Sequence, residues 1–255
     1  VNLDPYRAFM IELATQSGEF IRPYFGREGL AVELKADRSP VTVADRGAEE
    51  LMRRLIKGRF PSHGVIGEEL GSDRADAEFV WVLDPIDGTK SFLSAVPLFG
   101  TLIALLHQGQ PVLGCIHQPV LGQLLVGDNR SCMMGGRPVK TRDIRRIEDA
   151  TLLTSDPVAI AREPAARGYQ ALMARAKLAR MWGDCYGYLL VATGSADVMY
   201  DPLMNPWDIA ALVPVIRGAG GVITDSAGKA PYPAKSIVAA ATPELHAQVI
   251  AGLSP

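Results

Sequence analysis

The chain has 255 residues, of which 48% are hydrophobic and 21% charged, an ordinary globular composition with enough apolar material for a sizeable core; it excludes disorder over most of the length. Its 26 basic against 28 acidic side chains leave a net charge of -2, so no broad cationic field exists to hold a polyanion and no nucleic-acid partner is expected. The cysteines Cys115, Cys132 and Cys185 are widely spaced with no CxxC pair, no apolar run approaches the roughly 20 residues that cross a bilayer, and no export signal is legible in Val1-Asn2-Leu3-Asp4-Pro5-Tyr6, so the expected setting is the cytoplasm with no membrane partner.

In chain order, residues 6–25 place Phe9, Met10, Leu13, Ile21 and Phe25 near helical spacing, with Asp4 as N-cap and Pro5 in the first turn. A short strand at 31–35 leads through a polar turn at 36–40 into a helix at 44–59. Val65-Ile66 and residues 79–83 are strand-length apolar runs, and each ends in acids, Glu68-Glu69 and Asp84. Segments 98–106, 111–118 and 123–126 read as an antiparallel meander.

The turn Gly135-Gly136-Arg137-Pro138 and the charged run 142–149 mark a shift in composition. They predict an N-terminal α+β lobe over 1–145 and a C-terminal α/β lobe over 146–255. The second half reads as strand 151–155, helices 164–177 and 186–193, strand 198–200, helix 209–217, strands 222–224 and 236–240, and helix 243–253. Such alternation predicts helices covering sheets.

The densest chemistry lies at Asp84-Pro85-Ile86-Asp87-Gly88-Thr89. Two carboxylates three residues apart across a proline-fixed turn can face one hard cation, with the Ile86 carbonyl as a further oxygen ligand, a donor set that suits magnesium. Gly88 lets the backbone approach closely, and the Gly88 and Thr89 amides can cradle a phosphate. Alone, an Asp-Gly turn is common local structure. It gains weight from Gly67-Glu68-Glu69 at another strand end and from Asp208 in Asn205-Pro206-Trp207-Asp208, although Asp208 and Asp45 would each also serve as a helix N-cap.

Together with Ser39-Pro40-Val41-Thr42-Val43-Ala44-Asp45, Ala192-Thr193-Gly194-Ser195-Ala196-Asp197 and Gly218-Ala219-Gly220-Gly221, these motifs resemble the inositol monophosphatase family over most of the chain. The resemblance implies a layered α-β-α-β-α, sugar-phosphatase-like fold, a homodimer, lithium sensitivity and two to three Mg2+ per site. Glu68, Asp84 and the Ile86 carbonyl would hold one ion; Asp84, Asp87 and Asp208 would hold a second; Glu68 would help hold a third. A water deprotonated with help from Thr89 and Asp45 would attack the phosphate ester with no covalent phosphoenzyme. The glycines at 218–221 follow a helix and precede a strand, so they read as a helix stop and not as a dinucleotide loop. The four histidines lack HExxH spacing and read as surface or structural.

Within that family, Trp182-Gly183-Asp184-Cys185-Tyr186-Gly187-Tyr188 and Lys90 resemble the histidinol-phosphate phosphatases. Asp184, Asp201 and Asn205 would receive the cationic end of L-histidinol phosphate, with Arg180 orienting Asp184 or meeting the substrate. The bland alternative has Asp184 capping the next helix and pairing with Arg180. Inositol phosphate, and behind it nucleotide or sugar-bisphosphate esters, are the other substrates. A metal- and phosphate-binding module without turnover is the other class, against which Asp45, Glu68 and Thr89 argue, because binding alone needs no water-activating pair.

Overall fold

Apolar residues on both faces of most strands dictate a stack, since each sheet must be covered twice. The computed structural model describes residues 1–35 and 39–253. Helices α1 (Asp4–Ile21) and α2 (Val43–Arg59) flank a short hairpin, β1 (Val32–Leu34) and β2 (Pro40–Thr42). Next come β3 (Gly64–Gly67), β4 (Gly71–Asp73), β5 (Phe79–Asp87), helix α3 (Thr89–Leu93), and strands β6 (Gly100–His107), β7 (Gln110–Gln118), β8 (Gln123–Gly127), β9 (Cys132–Met134) and β10 (Arg137–Pro138). These form an eight-stranded sheet in the order β10-β9-β8-β7-β6-β5-β3-β4, antiparallel except for the β3–β5 pair.

The second sheet is built from β11 (Thr151–Leu153), β12 (Leu178–Arg180), β13 (Val198–Asp201), β14 (Val222–Thr224) and β15 (Ile237–Ala240), in the order β12-β11-β13-β15-β14. Its helices are α4 (Pro157–Ala161), α5 (Ala166–Arg175), α6 (Asp184–Ala192), α7 (Pro206–Ala210), α8 (Leu212–Gly218) and α9 (Pro243–Leu253). The large sheet ends at Pro138 and the small one starts at Thr151.

Strand alternation sorts the core into layers. Trp81, Leu83, Ile103 and Leu105 face α1 and α2 through Phe9, Leu13, Met52 and Ile56. Their neighbours Val80, Val82, Leu102 and Ala104 face the opposite way, onto Tyr188, Leu189, Ile209, Leu212 and Ile216 of α6–α8, which also meet Leu153, Met199 and Ala239 of the small sheet. The outer face of that sheet, Leu152, Val198, Tyr200 and Val238, is closed by Tyr169 and Leu172 of α5 and Leu245 and Val249 of α9. The result is the α-β-α-β-α stack expected from the sequence.

Several local expectations shift. Asp4 is the first residue of α1 and not its cap; Leu3 holds that position, and the Asn2 side chain accepts from the Asp4 amide at 3.0 Å. The helix expected at 209–217 is two, because Pro214 has no N–H to donate and is accommodated in the first turn of a new helix starting at Leu212. The helix expected at 164–177 ends at Arg175, and Leu178–Arg180 form β12, a strand the sequence reading did not include, beside β11. Gly218 ends α8, and Gly220 at φ 87° turns the chain toward β14, as its motif predicts. Part of the polar turn at 36–40 lies outside the described residues. Among those described, no helix is long and apolar enough to cross a membrane.

Candidate active site

β5 brings the first two carboxylates together by a break in its own regularity. In an unbroken strand, residues three apart point to opposite faces. Here the register with β6 shifts between Asp84, opposite Leu102, and Asp87, opposite Gly100. The extra residue re-aims the chain. Thr101 Oγ1 fixes the turn by donating to the Pro85 carbonyl at 2.8 Å, and the Ile86 amide donates to Asp84 Oδ1 at 3.1 Å. Asp208 arrives from α7, where it stands at the third helical position and closes a capping box with Asn205, accepting from the Asn205 amide at 2.7 Å. Carboxylate oxygens of Asp84, Asp87 and Asp208 lie within 4.8 Å of one another.

Burial of this crowd is costly, and it pushes each acid toward its neutral form. Burial and the charges of Glu68, Asp87 and Asp208 hold Asp84 well above the ordinary carboxylate range. Burial and the charges of Asp184 and Asp208 do the same to Asp87, against a 2.5 Å hydrogen bond from the Cys185 amide. Asp208 is pushed up to about 7, chiefly by burial, with the Asn205 amide opposing and the Glu68 charge adding to it. Three oxygen donors that repel unless protonated form a set that fits a hard divalent cation, which would neutralise them. Ile86 lines the same cleft, and its carbonyl accepts from Thr89 Oγ1 at 3.0 Å.

Glu68, just beyond β3, lines the same cleft of about 390 Å³ together with Asp84, Asp87, Gly88, Thr89, Asn205 and Asp208. Its carboxylate accepts from Lys35 Nζ at 2.7 Å, and Lys35 also meets Glu69 at 2.5 Å. Burial works against the Lys35 charge, but its bonds to Glu68 and Glu69 outweigh this and raise its pKa. Asp45 is buried at the third position of α2, where it accepts from the Thr42 amide at 2.8 Å and from Thr42 Oγ1 at 2.6 Å; burial raises its pKa. Asp45 and Asp208 thus belong to capping boxes whose N-cap residues are Thr42 and Asn205.

Gly88 adopts φ 86°, and a Cβ there would lie 2.8 Å from Asp184 Oδ2, which only glycine avoids. Asp184 begins α6 at φ 50°, its amide donating to Ser155 Oγ at 2.7 Å and its carboxylate accepting from Ser91 Oγ at 3.4 Å. Burial, then the charge of Asp201, push it up to about 6. A second cavity of about 250 Å³ adjoins the first through Asp87, Lys90, Asp156, Asp184 and Asp208, and is further lined by Tyr188, Asp201 and Met204. Asp201, buried, accepts from the Ser155 amide and from Tyr188 Oη, each at 3.0 Å.

Arg180 stands apart. It is exposed on β12, donates to the Ala179 carbonyl at 2.8 Å, and lines neither cavity. The sequence reading missed Ser155, Asp156 and Lys35. Ser155-Asp156-Pro157 carries the signal that could have found the first two, a strand end followed by a helix cap with proline at the first turn.

A histidinol-phosphatase from Chlorobaculum parvum is 40% identical over 89% of the chain and 88% of its own length. The chloroplastic bifunctional phosphatase IMPL2 of Arabidopsis thaliana is 42% identical over 98% of the chain and 75% of its own length. An inositol monophosphatase structure from Zymomonas mobilis superposes with a TM-score of 0.88 at 34% identity, covering 99% of both chains. With this fold and an acidic cleft at the junction of its layers, the chain is a phosphoric monoester hydrolase. The model of the inositol monophosphatase family matches residues 2–254, and the chain belongs to that family.

Proposed function

We propose that the enzyme hydrolyses L-histidinol phosphate to L-histidinol and inorganic phosphate, dependent on two to three Mg2+ per site, as a cytoplasmic homodimer. The observation that carries the substrate assignment is the second acidic group: Asp184, Asp201 and Asp156 line the cavity adjoining Asp87 and Asp208. An ester whose alcohol bears an amine and an imidazole would meet carboxylates there, and its positive charge would offset the burial, and the repulsion from Asp201, that raise Asp184. A neutral polyol offers no such compensation. The histidinol-phosphatases of Chlorobaculum parvum and Mycobacterium tuberculosis, 40% and 34% identical to the chain, support the same substrate.

In this proposal Asp84, Asp87, Asp208 and Glu68, with the Ile86 carbonyl, hold Mg2+. When bound, Mg2+ supplies charge neutralisation for the phosphate and Lewis-acid activation of the attacking water. Gly88 and Thr89 present their amides to phosphate oxygens at the start of α3. Thr89 Oγ1 orients the attacking water and, with Asp45, takes up its proton; burial strengthens the affinity of Asp45 for that proton. Asp184 and Asp201 hold the cationic end, and Asn205 keeps Asp208 in place. Arg180 is left out of this binding set.

Phosphate release from histidinol phosphate, inositol 1-phosphate, a nucleoside monophosphate and fructose bisphosphate, with Mg2+ or EDTA, tests the assignment. The expected result is highest kcat/KM for histidinol phosphate and none with EDTA. Preference for inositol phosphate, toward which the Zymomonas mobilis relative leans, would replace the substrate. Absence of turnover on every ester would indicate a binding module.

A further inference from the structure

Glu49 lies on α2 one turn beyond Asp45 and is 0% exposed. A carboxylate so buried persists only if its oxygens are met by donors. Its Oε2 accepts from the Glu69 amide at 2.8 Å, while Oε1 accepts from the Leu70 amide at 3.2 Å and from Arg53 Nε at 2.7 Å. Arg53, four residues on, donates through Nη2 to the Gly71 carbonyl. One i,i+4 pair on α2 therefore grips the turn at 69–71 by two amides and a carbonyl. Gly67 stands on the other side of Glu68, and a Cβ there would lie 2.0 Å from Glu49 Oε1. From the sheet, the Glu68 amide donates to the Leu83 carbonyl at 3.1 Å. The backbone of Glu68 is thus pinned on both sides, its own amide held by β5 and the next amide, that of Glu69, held by Glu49.

We propose that Glu49 is a positioning residue for Glu68: with Arg53 it fixes the turn that aims the Glu68 carboxylate at the cleft, so Mg2+ affinity depends on a side chain that touches neither ion nor substrate. This rests on the proposed role of Glu68 as a Mg2+ ligand and extends it to what holds that ligand. Residues that orient metal ligands commonly govern affinity by about 10- to 100-fold. Glutamine at 49 would keep the shape but replace one acceptor oxygen with a donor, which must face an N–H whichever way it turns.

The test is calorimetric titration of the metal-stripped full chain with Mg2+, together with kcat measured against Mg2+ concentration. Glu49→Gln is expected to weaken Mg2+ binding about 10- to 100-fold, while kcat at saturating Mg2+ stays close to wild type. Arg53→Lys, which keeps the charge but gives up the guanidinium fork, shifts affinity the same way by less and decides the matter if Glu49→Gln does not fold. In a Glu68→Gln background, Glu49→Gln is expected to add little. Undiminished affinity in Glu49→Gln and Arg53→Lys, beside a loss in Glu68→Gln, overturns the positioning role and leaves Glu68 as a ligand. A full additional loss in the Glu68→Gln background also overturns it, because a residue acting only through Glu68 cannot act without it. Undiminished affinity in Glu68→Gln itself removes the ligand assignment beneath the proposal.

Discussion

Replacing Asp184 with asparagine should make the protein more stable and less active on a cationic ester. The backbone at 184 sits at φ 50°, a left-handed conformation that asparagine adopts as readily as aspartate. The Ser91 hydroxyl can still donate to the amide oxygen, and the bond from the Asp184 amide to Ser155 is untouched. What disappears is a half-buried charge. Its pKa rises from 3.8 to about 6, which places roughly 3 kcal/mol on the ionised form. Part of that cost belongs to Asp201, the charge beside it, so the net gain is about 1–3 kcal/mol. An acid raised in the folded state is penalised only when ionised: the penalty is absent below about pH 4, grows between pH 4 and 6, and is complete above pH 6. Thermal melts of wild type and Asp184→Asn in EDTA should therefore coincide at pH 4 and separate by roughly 2–10 °C at pH 8. Equal melting at pH 8, or a difference independent of pH, would refute this electrostatic account of the site.

Asp87→Asn and Asp208→Asn should each abolish the rise in melting temperature that Mg2+ gives wild type and reduce phosphate release below about a hundredth; retention of the Mg2+-induced rise speaks against the ligand set. Thr89→Ala should spare Mg2+ affinity and lower kcat by about 10²- to 10⁴-fold, as calorimetry and steady-state kinetics on one preparation will tell. Because burial pushes Asp208 up to about 7 and protons compete with the cation, the Mg2+ concentration giving half-maximal rate should rise as pH falls below about 7, and excess Mg2+ should move the acid limb of the rate profile to lower pH. Gly88→Ala should cost about 1–3 kcal/mol in denaturant melts, from the left-handed backbone and the clash with Asp184 Oδ2.

The alternation of helices with sheets and the acids at the end of β5 were legible for a shared reason: both are written locally, whereas the five-layer stack followed from the family resemblance. Strand alternation in Trp81-Val82-Leu83 and the acids at its end sit within a few residues of each other, so pattern and chemistry are read together. Asp208 was legible through its family motif, since nothing local distinguishes a capping aspartate from a ligand, and in the structure it is placed to do both. Glu49 and Lys35 were not legible, because their meaning lies in contacts with a turn about twenty residues away and with a carboxylate 33 residues on. A polar residue on an amphipathic helix gives no sign in sequence that it faces inward. Arg180 shows the reverse failure: closeness to Asp184 in sequence implied a shared site, but β12 carries it to the surface before α6 begins. The division at residue 145 remains a proposal, with the buried cluster around α6–α8 drawing on both halves.

The claim that the two ends of the substrate are read separately, phosphate by the Asp84–Asp87–Asp208 group and cation by Asp184 and Asp201, is tested most directly by one ratio. It compares kcat/KM for histidinol phosphate with kcat/KM for the same ester lacking its amine, under saturating Mg2+, in wild type and in Asp184→Asn. A charged hydrogen bond made in the transition state is worth about 1.5–3 kcal/mol, so wild type should favour the amine by roughly 10- to 100-fold, and Asp184→Asn should bring the ratio close to one by slowing only the cationic substrate. A wild-type ratio near one, or equal slowing of both esters by the substitution, would contradict it.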